Sequence, residues 1–237
     1  MTRKPIDIAR ILQISTSALR HYEAKGIVPP SERSTNGYRV YTEEHMAYFA
    51  CIKAMSPGFG MDITSEVLRN IQKNQIDAAL WLVNEAQASL QRDKMMAEKT
   101  VQILETQEYD TLPSIEVKEW MTIGEVSAKT DIPSSAIRHW EKVGLITPSR
   151  DASNGYRRFS HSDFIKILLI RTLQTAVYSQ EIVTLKQAIK ELDHHNAEQT
   201  KKIAHDIRNY LNKVNREQLR GLHYLYRLCS VLGVLKA

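Results

Sequence analysis

The chain has 237 residues, 43% of them hydrophobic, a formal net charge of +5 and a pI near 9.1. That length can bury two modest cores, and the mild basic excess favours a polyanionic partner without requiring one. Two cysteines, Cys51 and Cys229, exclude a disulfide scaffold and fit a reducing cytosol. No apolar run follows Met1–Pro5 and no stretch reaches the length of a membrane span, so the expectation is a cytoplasmic protein without signal peptide or membrane anchor.

The first helix is expected over Ile6–Leu12. A second opens after the hydroxyl cluster Ser15-Thr16-Ser17, which signals a helix N-terminus, and carries Ala18-Leu19-Arg20-His21-Tyr22-Glu23. Gly26 suits the left-handed position after that helix, and Pro30 bars continuation. Between Arg33 and Tyr38-Arg39 lies Asn36-Gly37, the strongest short hairpin signal, with both residues expected at positive φ. A short helix followed by a basic hairpin reads as a winged helix-turn-helix. Thr42 then opens a helix to Met55, Ser56–Gly60 reads as a break, and Ile63–Ile71 as a further helix.

Ile76, Val83, Leu90, Ala97 and Leu104 recur every seven residues, with Leu80 and Val101 on the alternate seam. This is a coiled-coil pattern, and a helix of roughly 30 residues is about 45 Å long. The linker Tyr109–Glu119, broken by Pro113, spans at most about 35 Å. A helix over Ile123–Thr130 follows, and then the earlier motif returns. Ser134-Ser135-Ala136-Ile137-Arg138-His139-Trp140-Glu141 is closed by Gly144, Pro148, Arg150 and Asn154-Gly155-Tyr156-Arg157. Arg20 and Arg138, like Gly37 and Gly155, are separated by 118 residues. No gap intervenes, and the mismatches Leu19/Ile137, Tyr22/Trp140 and Tyr41/Phe159 keep their chemistry. The chain is a duplication of whole domains, because the period far exceeds that of a stacked repeat.

Helices are expected again over Ser162–Leu173 and Gln180–Ile189, with Ala176-Val177 standing where copy one has its break. Asp193–Asn215 carries Ile203, Ile207, Tyr210 and Val214 as a second long helix, and Gln218–Leu235 forms a short apolar terminal helix. That terminal helix packs over the coiled coil, makes a homodimer contact or lines a ligand pocket; the sequence leaves these open.

This order of motifs, present twice, resembles the DNA-binding domain of the MerR family of bacterial transcription regulators. The resemblance implies a mainly α fold in which two winged helix-turn-helix domains, each with a small β-hairpin wing, are joined by long antiparallel coiled-coil helices. The corresponding division is residues 1–74, first winged-helix domain; 75–108, coiled-coil helix; 109–119, linker; 120–190, second winged-helix domain; and 191–237, long helix plus apolar terminal helix. In that family the helix pair after the wing completes the domain, with Gly58-Phe59 at its turn, and the long helices form a dimer seam. Here one chain contains both partners, so a monomeric pseudo-dimer is favoured and a homodimer kept open. His21 and His139 depart from the aromatic residue of many relatives, so no base preference is carried over.

A helix-turn-helix sends its second helix into the major groove. That places Thr16, Ser17, Arg20 and His21, mirrored by Ser134, Ser135, Arg138 and His139, at base edges. Arg20 and Arg138 suit bidentate guanine or phosphate contact, against the competing reading that Arg20 pairs with Glu23. His21 and His139 read equally well as packing residues. Tyr22 and Trp140 read as core, with the Tyr22 hydroxyl kept as a phosphate contact, while Tyr41 and Phe159 read as core outright. On the wings, Arg33, Tyr38 and Arg39, with Arg150, Tyr156 and Arg157, would grip the DNA backbone.

Two similar half-sites in inverted orientation follow, with Thr16/Ser134, Ala24/Lys142, Lys25/Val143 and Arg33/Asp151 allowing imperfect symmetry. The function expected is sequence-specific transcription regulation on promoter or operator DNA, with distortion of that DNA implied by the resemblance. The alternatives are an architectural or recombination-accessory DNA binder and a small-molecule (drug)-binding relative. RNA polymerase and a small-molecule effector stay open as partners. No metal or other cofactor is expected, since the cysteines are unpaired in sequence and His194-His195 point about 100° apart on a helix. No Walker loop, dinucleotide fingerprint, nucleophile elbow or zincin motif is present, so no enzyme activity is expected.

Overall fold

The computed structural model describes residues 3–105, 120–173, 179–192 and 197–235. The linker, the Ala176-Val177 junction and His194-His195 lie outside these. In chain order the elements are α1 (Pro5–Leu12), α2 (Thr16–Ala24), β1 (Glu32–Arg33), β2 (Arg39–Val40), α3 (Glu43–Gln72), α4 (Ile76–Glu105), α5 (Ile123–Thr130), α6 (Ser134–Lys142), β3 (Ser149–Arg150), β4 (Arg157–Arg158), α7 (His161–Arg171), α8 (Gln180–Lys190) and α9 (Ala197–Val231). The fold is mainly α, with two winged helix-turn-helix arrangements and long helices. It divides into two compact units, Met1–Ser89 with Lys213–Ala237, and Leu90–Asn212.

In the first unit, local signals set the helix ends. The Ser15 hydroxyl accepts the Ala18 N–H at 3.1 Å and so caps α2. At the other end Ile27 N–H bonds Tyr22 C=O and Gly26 N–H bonds Glu23 C=O, the Schellman pattern. The Lys53 ammonium donates to the Leu12 carbonyl, satisfying the end of α1. Ile8, Leu19, Ile27, Tyr41, Phe49 and Met55 are almost wholly buried in one core, with Tyr41 and Phe49 edge-to-face at 5.2 Å. Tyr41 is core, as the sequence indicates. Cys51 and Cys229 are free thiols buried in the same core, and burial pushes both thiols up from their ordinary range.

Two features of this unit differ from the sequence expectation. The break expected over Ser56–Gly60 shrinks to Gly60 alone, at φ 77° and ψ 163°, and Pro57 lies within the helical run. Gly58 is not a turn residue: a Cβ there would lie 2.5 Å from Gln218 N and 2.9 Å from Gln218 Cα. It is a point of close approach between α3 and α9, and the Gln218 side chain donates to Gly58 C=O across it at 3.1 Å. The second difference is α9, a single 35-residue helix where two were expected. Its residues Leu225, Leu228 and Cys229 belong to the core of this unit. These residues pack internally, in the core of this unit, while Leu219 and Tyr226 remain 70% and 49% exposed.

In the second unit the same devices recur. Arg171 takes the place of Lys53 and donates to the Thr130 carbonyl at the end of α5. Ser160 and Asp163 cap α7 reciprocally at 3.1 and 2.9 Å. Buried residues run unbroken from Asp163 to Ile170, so α7 is enclosed all round. The Leu90–Glu105 stretch of α4 buries Leu90, Ala97, Val101 and Leu104, and α9 buries Ile203, Ile207, Tyr210 and Leu211. Glu105 meets His205 at 3.1 Å. Of the heptad positions read from the sequence, Val83, Leu90, Ala97, Val101 and Leu104 are buried and Ile76 and Leu80 half-buried, while Lys94 pairs with Glu98 at 2.7 Å.

Candidate nucleic-acid interface

On α2 the inward residue is Leu19, wholly buried, while Ser17, Arg20 and His21 are exposed and Thr16 partly so. On α6 Ile137 is inward, Ser135, Arg138 and His139 are exposed, and Ser134 partly so. The helices thus turn one face into the core and the same four positions outward. Among the described residues neither Arg20 nor Arg138 has an ion-pair partner, because Glu23 and Glu141 are engaged elsewhere. His21 and His139 are exposed, which removes the packing alternative. Trp140 is 7% exposed and Tyr22 is half-buried against the core, so both are mainly structural. Pro133 gives α6 no side-chain cap, unlike Ser15 on α2.

The wings are held by the carboxylates that close each recognition helix. Glu23 accepts from Ser31 N at 3.0 Å, Ser31 Oγ at 2.9 Å, Arg39 Nε at 2.8 Å and Tyr41 Oη at 3.3 Å. Burial would raise the Glu23 carboxyl, but the two Ser31 hydrogen bonds and Arg39 outweigh it and hold it below its ordinary value. Tyr41, buried beside that carboxylate, is pushed up to about 12. In the second unit Glu141 accepts from Arg157 Nε at 2.6 Å and lies 3.6 Å from Arg150. Arg39 and Arg157 therefore each commit one edge of the guanidinium to the scaffold. The anchoring carboxylates were missed as site residues; the signal available was the identical Glu–Arg spacing of 16 in both copies.

The hairpin tips correct the sequence reading. Gly37 and Gly155 sit at φ 76° and 72°, but Asn36 and Asn154 are not at positive φ, so neither turn is the two-residue type that Asn-Gly suggests. Arg33 pairs with Arg39 and leaves five residues in the loop. Arg150 pairs with Arg157 and leaves six. The extra residue is accommodated by Asp151, whose Oδ1 accepts from Ser153 N at 2.7 Å and Asn154 N at 3.3 Å, an Asx-type turn. Those bonds, with Ser153 Oγ and Arg158, hold the Asp151 carboxyl at about 2. Structurally, Arg33 corresponds to Arg150 and not to Asp151: the first donates to Gly37 C=O at 3.0 Å, the second to Gly155 C=O at 3.3 Å. A residue lost before the strand is regained in the loop, and equal lengths conceal it. Each tip lifts a tyrosine, Tyr38 or Tyr156, to 73% exposure.

Residues 4–41 and 122–159 both match the model of the MerR family regulatory protein. Two MerR-type domains stand in this chain. The HTH-type transcriptional regulator CueR of Escherichia coli O6:H1 is 38% identical over 63 residues, covering 26% of this chain and 47% of that protein. CueR of Salmonella typhi is 36% identical over 63 residues, covering 26% and 46%. The transcriptional regulator BrlR of Pseudomonas aeruginosa is 37% identical over 68 residues, covering 28% and 24%. The chain thus spans about half the length of the CueR relatives. No solved structure matches.

The MerR-type domains carry their exposed arginines, histidines and tyrosines on scaffold positions that repeat from one unit to the other. Among the described residues no three of His, Cys, Asp or Glu are grouped to hold a metal ion. No described helix is long and apolar enough to cross a membrane.

Proposed function

We propose that the protein is a sequence-specific DNA-binding transcription regulator in which one chain supplies both MerR-type domains to the two halves of an imperfect inverted repeat. The observation that carries this reading is the repeated outward set, Arg20/Arg138 and His21/His139 on helices whose inward residues are buried, and Tyr38/Tyr156 at the tips of wings tied to those helices by Glu23 and Glu141. An arginine on the first turns of a recognition helix can take guanine O6 and N7 together, while an exposed tyrosine beside wing arginines meets the sugar–phosphate backbone. The relatives named above are transcriptional regulators, which supports the regulatory reading over a purely architectural one. Regulation by distortion of promoter DNA would draw part of the specificity from steps the protein does not touch.

The test is selection of genomic fragments by the full chain, followed by footprinting of a recovered site. An inverted repeat protected on both halves, with one chain bound per duplex, is the expected result. Arg20→Ala and Arg138→Ala should each weaken binding about 10- to 100-fold and relax preference at one half-site only. Binding that is indifferent to sequence and vanishes with salt would support the architectural alternative instead.

A further inference from the structure

Resting on the DNA-binding reading above, we propose that Trp120 is a DNA-backbone contact that the second MerR-type domain has and the first lacks. Between α6 and the β3–β4 wing lies a concavity of about 690 Å³, lined by Trp120, Thr122, Arg138, Tyr156, Arg157 and Arg158 among others. Two of these, Arg138 and Tyr156, belong to the outward set. A duplex seated on α6 and the wing runs its sugar–phosphate strand through this space.

Trp120 is 39% exposed, a large apolar side chain kept at the rim of a basic surface. Its place is fixed by the next residue. Met121 N–H bonds Phe159 C=O and Phe159 N–H bonds Met121 C=O, both at 2.9 Å, and Met121 and Phe159 are almost wholly buried. The backbone next to the indole is therefore tied to the residue that follows the wing strand, with Met121 turned into the core and Trp120 left at the surface. Its chemistry suits a nucleic-acid backbone: a flat apolar face for deoxyribose and a single N–H donor for a phosphate oxygen. Arg138 and Arg157 supply positive charge beside it. Among the described residues the carboxylate lining the concavity is Asp151, and it is occupied by Ser153, Asn154 and Arg158, so it does not present a free anion to the phosphates.

The constant step of 118 places Thr2 opposite Trp120 and Val40 opposite Arg158. Neither the indole nor the additional wing arginine exists in copy one. The two half-sites are consequently gripped unequally, and the protein has a defined polarity on a near-symmetric site.

The test uses the full chain and a duplex recovered by it from genomic fragments. Trp81→Phe removes the exposed tryptophan of α4, and comparison with Trp81→Phe/Trp120→Phe isolates the Trp120 emission. Saturating DNA should shield Trp120 from acrylamide. Trp120→Ala should raise Kd about tenfold, with hydroxyl-radical protection reduced only at the half-site that Arg138→Ala identifies as belonging to the second domain. Trp120→Phe should lose less. If the duplex binds with the Arg20 and Arg138 dependence expected but leaves Trp120 equally quenchable, the inference fails and the DNA-binding reading stands. If the wild-type chain binds no duplex, both fall.

Discussion

At Glu23 four donors converge on one carboxylate, and they come from the turn after α2, the wing and the core. Glu23→Gln keeps the shape but removes the charge that holds Arg39. We expect a loss of about 1–3 kcal/mol, read by chemical denaturation, and faster hydrogen exchange over Ser31–Val40. Because the Glu23 carboxyl lies below its ordinary value of 4.5 in the folded domain, its contribution is complete above that value. It is lost as pH falls through the lower, folded one. The stability gap between wild type and Glu23→Gln should therefore be full at neutral pH and close in acid as pH falls through the lowered, folded value; a gap that widens in acid would contradict this assignment. The exposed half of the site was legible in the sequence because helical period and capping mark which side of α2 and α6 faces out. The Glu23–Arg39 tether was not, since the two residues are 16 apart and either could have faced solvent.

Among the elements, α9 departs furthest from what local pattern suggests. Its apolar positions from Leu219 to Val231 mark an amphipathic helix, but nothing local specifies its neighbour. Gly58 does so in the structure. A methyl group there meets backbone atoms of Gln218, which cannot rotate away as a side-chain tip would. Gly58→Ala should cost about 3 kcal/mol and release the 213–231 stretch, seen as accelerated amide exchange there before global unfolding. Leu228, wholly buried, should cost about 2–5 kcal/mol as Leu228→Ala, in the unit that contains residues 3–89. An unchanged unfolding midpoint for either variant would refute the docking of α9. The helices themselves were legible from caps and heptads, but the wing register was not. A gapless repeat hides the residue that moves from the approach strand into the loop, because only the strand pairing and the hydrogen bonds of Arg33, Arg150 and Asp151 reveal it.

For the whole molecule, the pseudo-dimer reading makes a quantitative demand. Light scattering should return one chain's mass for the free protein and one chain per duplex when bound, and twice that mass would overturn it. The dependence of log Kd on log salt should fall by about one unit for each phosphate-contacting arginine removed. Doubling was visible in the sequence, since one step of 118 relates Arg20 to Arg138 and Gly37 to Gly155. The division into compact units was not, because it rests on contacts between residues far apart in the chain.

The unit that starts the chain also includes Lys213–Ala237. On the ribosome, its winged helix emerges before the second unit yet lacks Leu225, Leu228 and Cys229 until that second unit has been made. Closing that core joins segments separated by more than a hundred residues, an entropic cost that rises only slowly with length, while the uncovered apolar face of α3 is open to aggregation in the meantime. Nascent chains stalled before Leu225 should therefore hold the first winged helix in a protease-sensitive state, and emergence of residues 213–235 should protect it. The order in which the units mature then runs against the order in which they are translated.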